Sequence, residues 1–86
     1  TIQKISISLY PNPAKDFILI NFNSTERKNL TFMLFNSIGQ KVTIEKIKGN
    51  ETNHKINTKA LSEGIYFWKV ESAYKFSQQG KVVLLK

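Results

Sequence analysis

Eighty-six residues make one domain, and a chain of this length buries only about 60 to 65% of the surface it exposes when unfolded, so it has material for a single modest core. A hydrophobic fraction of 41%, with six Phe, three Tyr and one Trp, excludes a disordered tail, and the absence of Cys excludes disulfides, thiolate nucleophiles and Cys-based metal sites. The net charge of +7 comes from twelve Lys and only Arg27, spread from Lys4 to Lys86; specific base readout favours Arg, so no nucleic-acid partner is expected.

Ile5, Ile7 and Leu9 alternate with Ser6 and Ser8 and predict a first, half-buried strand. It stops at Pro11-Asn12-Pro13, where two prolines fix φ and remove two ladder donors. After Asp16, expected to anchor the loop by its side-chain oxygen, a second strand places Ile18, Ile20 and Phe22 on one face and Phe17 and Leu19 on the other. The polar stretch 23–29 ends it, and a third strand turns Leu30, Phe32 and Leu34 inward.

Asn36-Ser37-Ile38-Gly39 has turn chemistry, because Asn tolerates the left-handed region and Gly enters it at little cost. Val42 and Ile44 define a fourth strand, Gly49-Asn50 closes it, and a weaker strand carries Ile56. Residues 58–63 are the one stretch where a helical turn is expected, with Ala60 and Leu61 as its apolar contacts and Gly64 as terminator. Ile65-Tyr66-Phe67-Trp68-Lys69-Val70 is the strongest strand; Tyr66, Trp68 and Val70 are assigned to the core because the other set ends in a charge. Lys81-Val82-Val83-Leu84-Leu85-Lys86 is the last strand. Seven short strands without intervening helices imply an all-β, antiparallel sandwich of two sheets.

The supply of chemistry is thin. His54 lies in the polar run Asn53-His54-Lys55 and reads as an exposed surface residue. Asp16, Glu26, Glu45, Glu51, Glu63 and Glu71 are isolated from one another in sequence and read as solvated, without calcium-loop spacing. No catalytic, cofactor-binding or metal-ligating set is assigned, and no enzyme activity is expected. The longest apolar runs, Phe17-Ile18-Leu19-Ile20 and Val82-Val83-Leu84-Leu85, fall far below the ~20 residues of a membrane-spanning helix. Thr1-Ile2-Gln3-Lys4 lacks a signal-peptide layout, and the chain reads as a fragment of something longer. The terminal strand, flanked by Lys81 and Lys86, has the character of a sheet edge whose free N–H and C=O groups would template a partner strand.

Four motifs occur in order: Leu9-Tyr10-Pro11-Asn12-Pro13-Ala14, Leu34-Phe35-Asn36-Ser37-Ile38-Gly39-Gln40, Leu61-Ser62-Glu63-Gly64-Ile65-Tyr66-Phe67, and a terminal Gly80-Lys81 strand ending in Lys86. Together they resemble the type A C-terminal sorting domain of the type IX (Por) secretion system of Bacteroidota, over nearly the whole chain. The resemblance implies an immunoglobulin-like β-sandwich that directs a fused N-terminal cargo from the periplasm across the outer membrane to the cell surface or the medium. It implies recognition by the type IX translocon and an outer-membrane shuttle protein, then removal by a sortase-like peptidase, with no cofactor.

By that likeness Pro11, Asn12 and Pro13 match the family's proline motif, Gly39 its turn glycine, and Gly64 and Tyr66 its glycine-x-tyrosine motif, all expected to be structural. Gly80, Lys81, Val82, Val83, Leu84, Leu85 and Lys86 match the terminal signal and are expected to be read by the translocon. Asn36 stands where the family often has Asp, and Trp68 is bulkier than the usual aliphatic. The competing reading is an immunoglobulin-like carbohydrate-binding or adhesion module using exposed aromatics such as Tyr10 or Tyr74.

Overall fold

Alternating apolar residues need two faces to pack between, and the computed structural model supplies them as two antiparallel sheets; it describes residues 7–22, 29–49, 51–72 and 77–86. The strands are β1 Ile7–Tyr10, β2 Phe17–Phe22, β3 Leu30–Phe35, β4 Lys41–Ile47, β5 Asn53–Asn57, β6 Gly64–Ser72 and β7 Ser77–Leu84. One sheet has the order β1-β2-β5, the other β4-β3-β6-β7. The chain therefore changes sheet between β2 and β3, β4 and β5, and β5 and β6, which is the crossing pattern of an immunoglobulin-like sandwich whose fourth strand has joined the sheet of the third. The expected fold class is the one observed.

The core forms where the inward residues of the two sheets meet. Ile18, Ile20, Phe22 and Ile56 come from the three-stranded sheet; Leu30, Phe32, Leu34, Ile47, Tyr66, Val70, Val82 and Leu84 come from the four-stranded one. Full burial of side chains of this size stabilises the fold by roughly 1.5–3 kcal/mol each. Ile7 and Leu9 pack against this cluster from β1 at half burial, as their alternation predicts. Ile5, Arg27, Glu26, Asn50 and Tyr74 lie outside the described residues.

The strand expected around Val42 and Ile44 forms as β4, and four other expectations are corrected. In β4, Leu30 pairs with Ile47 and Phe32 with Glu45, so Thr43, Glu45 and Ile47 face inward while Ile44 is 56% exposed. Register, fixed by the buried Leu30–Ile47 pair, overrides the local apolar pattern, and the pairing shifts beside Phe35. Residues 58–63 do not wind into a helix: Leu61 N–H closes a single tight turn on the Thr58 carbonyl at 3.0 Å, the Lys59 amide donates to Asn57 Oδ1 at 2.9 Å, and Ala60 is exposed. Trp68 is only partly buried, packed against the core rather than within it. Asp16 does anchor a loop, but through its carbonyl, which accepts the Thr58 N–H at 2.8 Å. The fourth, His54, belongs to the site described next.

Candidate functional site

The terminal strand is built into the sandwich on three sides. β7 pairs along its length with β6, Tyr66 opposite Val82 and Gly64 opposite Leu84, and Val82 and Leu84 are at most 1% exposed. Its other edge is the border of the four-stranded sheet. There the segment after β1 docks: Ala14 N–H donates to the Val83 carbonyl and Leu85 N–H to the Ala14 carbonyl, both at 2.8 Å. Asn12 extends this pairing by its side chain, with Val83 N–H donating to Oδ1 at 3.1 Å and Nδ2 donating to the Lys81 carbonyl at 3.4 Å.

This explains the sequence Pro11-Asn12-Pro13. Neither proline has an N–H to offer, and the Asn side-chain amide, with one donor group and one acceptor, imitates the missing peptide group. Ala14 is fully buried in the core cluster. The edge groups expected to be free are thus occupied from Lys81 to Leu85, and among the described residues no strand covers the β7 edge upstream, at Ser77 and Gln79. Lys86 is tied too: its Nζ donates to the carbonyls of Thr58, Lys15 and Lys59 at 2.8, 3.2 and 3.4 Å, and its N–H to Glu63 Oε1 at 3.3 Å.

Of the residues matched to the terminal signal, Lys81 and Leu85 present exposed side chains, Val83 is half-buried, and Val82 and Leu84 are core. Gly80 sits opposite Trp68, and a Cβ there would meet the indole ring at 2.7 Å. The missing side chain is what lets the indole lie across the neighbouring strand.

The other matched residues do structural work. Gly64 has φ +150° at the entrance to β6. Two residues on, the Tyr66 hydroxyl donates to the Ser62 carbonyl at 2.7 Å, the tyrosine corner of immunoglobulin-type sandwiches at the turn from the fifth strand to the sixth. Gly39, at φ +87°, completes a turn in which Asn36 Oδ1 accepts the N–H groups of Ile38 and Gln40 at 3.1 and 2.9 Å.

His54 corrects the expectation of an exposed surface residue. β5 pairs Ile20 with His54, so the imidazole enters the space between the sheets, with its side chain 17% exposed. Nε2 lies 2.8 Å from Glu45 on β4 of the opposite sheet, and Nδ1 lies 2.7 Å from Glu51 in the turn between them. Two carboxylates, one three residues before His54 and one nine, therefore converge on one ring. Burial pulls its pKa down, but the hydrogen bonds and charges of Glu45 and Glu51 outweigh that and hold it above the ordinary 6.5. Both ring nitrogens are engaged on opposite sides, and among the described residues no cluster of His, Asp or Glu is arranged to hold a metal ion.

Sequence reasoning missed Asn12, Ala14, Glu45 and Glu51 as joining elements. A clue was available for Asn12, as the one residue between the prolines with both donor and acceptor. For Glu51 the i,i+3 spacing to His54 was a local clue, whereas the approach of Glu45 from the opposite sheet depends on tertiary packing.

Fold and site together define a two-sheet β-sandwich module whose last described strand is closed by backbone pairing to β6 and Ala14. The chain matches the secretion system C-terminal sorting domain over residues 8–85 and belongs to that family, as a sorting signal of type IX secretion that is addressed outward from the cell. No curated protein matches it. Among the described residues no helix is long and apolar enough to cross a membrane.

Proposed function

We propose that residues 1–86 are a single non-catalytic domain at the end of a larger secreted protein, whose N-terminal cargo it carries across the outer membrane. The type IX translocon and its outer-membrane shuttle protein bind the folded domain after it reaches the periplasm. A sortase-like peptidase then cuts the domain away, and the cargo is attached to the cell surface or released.

The observation that carries this reading is the family match over residues 8–85 of an all-strand sandwich. Burial refines which side chains are offered for recognition. Within the segment 80–86, Lys81 and Leu85 are available with Val83 at their side, while Gly80, Val82 and Leu84 serve the packing and Lys86 ties loops. Pro11, Asn12, Pro13, Gly39, Gly64 and Tyr66 act by holding the fold in which those side chains are displayed.

The test is a reporter protein fused ahead of the 86 residues, in a bacterium with a working type IX system and in one lacking the translocon. The fusion reaches the surface or medium only in the first strain, and the reporter alone stays inside in both. Equal retention in both strains refutes the reading.

A further inference from the structure

The two sandwich faces that look away from the core differ in composition. On the three-stranded sheet, outward positions of β2 and β5 hold Phe17, Leu19, Asn21, Asn53, Lys55 and Asn57, and the Lys55 ammonium lies 4.8 Å from the Phe17 ring centre. On this face the one widely exposed large apolar residue among the described residues is Tyr10 of β1, 43% exposed and paired with Leu19. The four-stranded sheet turns outward Ile44 on β4, Met33 and Phe35 on β3, Ile65 and Phe67 on β6, and Val83 on β7. Cross-strand pairing sets Phe35 beside Phe67 and Ile65 beside Val83, with Ile44 further out beyond the buried Met33. Ile44, Ile65 and Phe67 are 56, 46 and 45% exposed. Isolated exposed apolar residues are ordinary, whereas a connected group on one sheet face marks an interaction surface.

Charge selects the occupant. Phe35, Phe67 and Trp68 form the apolar part of a groove of about 390 Å³, with Gly80 in its lining and Lys69, Gln79 and Lys81 as its polar border. Among the described residues no carboxylate lies within ion-pairing distance of Lys81, and Lys69 pairs with Glu71 at 3.5 Å. A second copy of this chain would bring the same lysines against each other at a net charge of +7. An anionic lipid surface fits poorly, since Glu71 lies on the same face, beside Lys69, and Phe67 lines a recess instead of standing clear to insert.

We propose that the outward face of the four-stranded sheet, centred on the groove between Phe35, Phe67 and Lys81, docks onto a partner protein that presents apolar side chains flanked by carboxylates. The identity of that partner as a secretion component rests on the sorting reading above; the surface and its chemistry do not. Phe67 is its apolar anchor, and Lys69 and Lys81 select the carboxylates and set orientation.

The test titrates the isotopically labelled 86-residue chain with a short synthetic peptide alternating Glu and Phe, read by amide chemical shifts. Shifts concentrate at Phe35, Phe67, Lys69, Gln79 and Lys81. Combined Lys69→Glu and Lys81→Glu weakens binding at least about tenfold, whereas Lys55→Glu on the opposite sheet changes it by no more than about twofold. Shifts scattered over the molecule, or equal loss with Lys55→Glu, overturn the proposal. So does binding of phosphatidylglycerol vesicles at these same amides in preference to the peptide, which would make the face a membrane contact. In the reporter fusion, Phe67→Ala and Lys69→Glu, both outside residues 80–86, lower export while the domain keeps its melting temperature. Export unchanged by either overturns the proposal without touching the sorting reading; failure of the unsubstituted fusion to be exported removes the sorting reading, and the titration then decides the surface alone.

Discussion

The sandwich is closed differently at its two margins. Along β7 the terminal strand is held by backbone pairing to β6, by Ala14, and by the Asn12 side chain acting as a substitute peptide group, over the buried Val82 and Leu84. At the β4–β5 margin the two sheets are joined by charge, through His54 between Glu45 and Glu51. Uncharged hydrogen bonds over an apolar core are indifferent to pH near neutrality, whereas a half-buried imidazole between carboxylates titrates there. The terminal margin is therefore the constant one, and it is also where the segment proposed for recognition lies.

The comparison breaks most visibly in the core beneath the terminal strand. Leu84→Ala should cost about 2–5 kcal/mol, measured by urea unfolding, which for a domain this small approaches its whole stability. Removing residues 81–86 outright would do at least as much, so a truncation cannot separate recognition from folding. Next comes Gly80→Ala, whose Cβ is driven against the Trp68 indole; a loss of about 1–3 kcal/mol is expected, and Trp68→Leu in the same chain should recover part of it.

Asn12→Ala removes the substitute peptide group and strands the Val83 N–H and Lys81 carbonyl at an edge that water reaches, for about 1 kcal/mol. Its signature is local: faster hydrogen exchange at Val83 with little change at Ile20. The smallest effect belongs to the charged margin. Since the folded-state pKa of His54 is raised above 6.5, its contribution is complete below that value and is lost as pH rises through the folded value. His54→Gln should lower stability by about 0.5–1 kcal/mol at pH 6 and by less at pH 8, flattening the pH dependence of thermal unfolding.

Where the sequence could be read and where it could not follows from how local the determinants are. β2, β3 and β6 declare themselves, because a residue buried on one face and its neighbour on the other give a period of two that survives without tertiary information. β4 misleads, because its apolar Val42 and Ile44 lie toward the outside and its inward positions hold Thr43 and Glu45; only the pairing of Leu30 with Ile47 decides between the two faces. The helical turn expected at 58–63 is replaced by one tight turn closed from Leu61 N–H to the Thr58 carbonyl, after which the chain enters β6 at Gly64. At the candidate site, the proline and glycine punctuation was legible as turn-making, yet its target was not. That Asn12 grips a strand 69 residues further on, and that two glutamates meet one histidine, are facts of packing.

The central claim is that the domain is an address read from the outward side chains of a terminal strand which the rest of the sandwich holds in place. Paired substitution Lys81→Ala and Leu85→Ser tests it most directly, since both side chains are exposed and neither belongs to the core. A reporter fusion carrying the pair should lose export while the domain's melting temperature stays within a few degrees of the original, about what a surface change allows. Full export by a fusion so altered would contradict the claim.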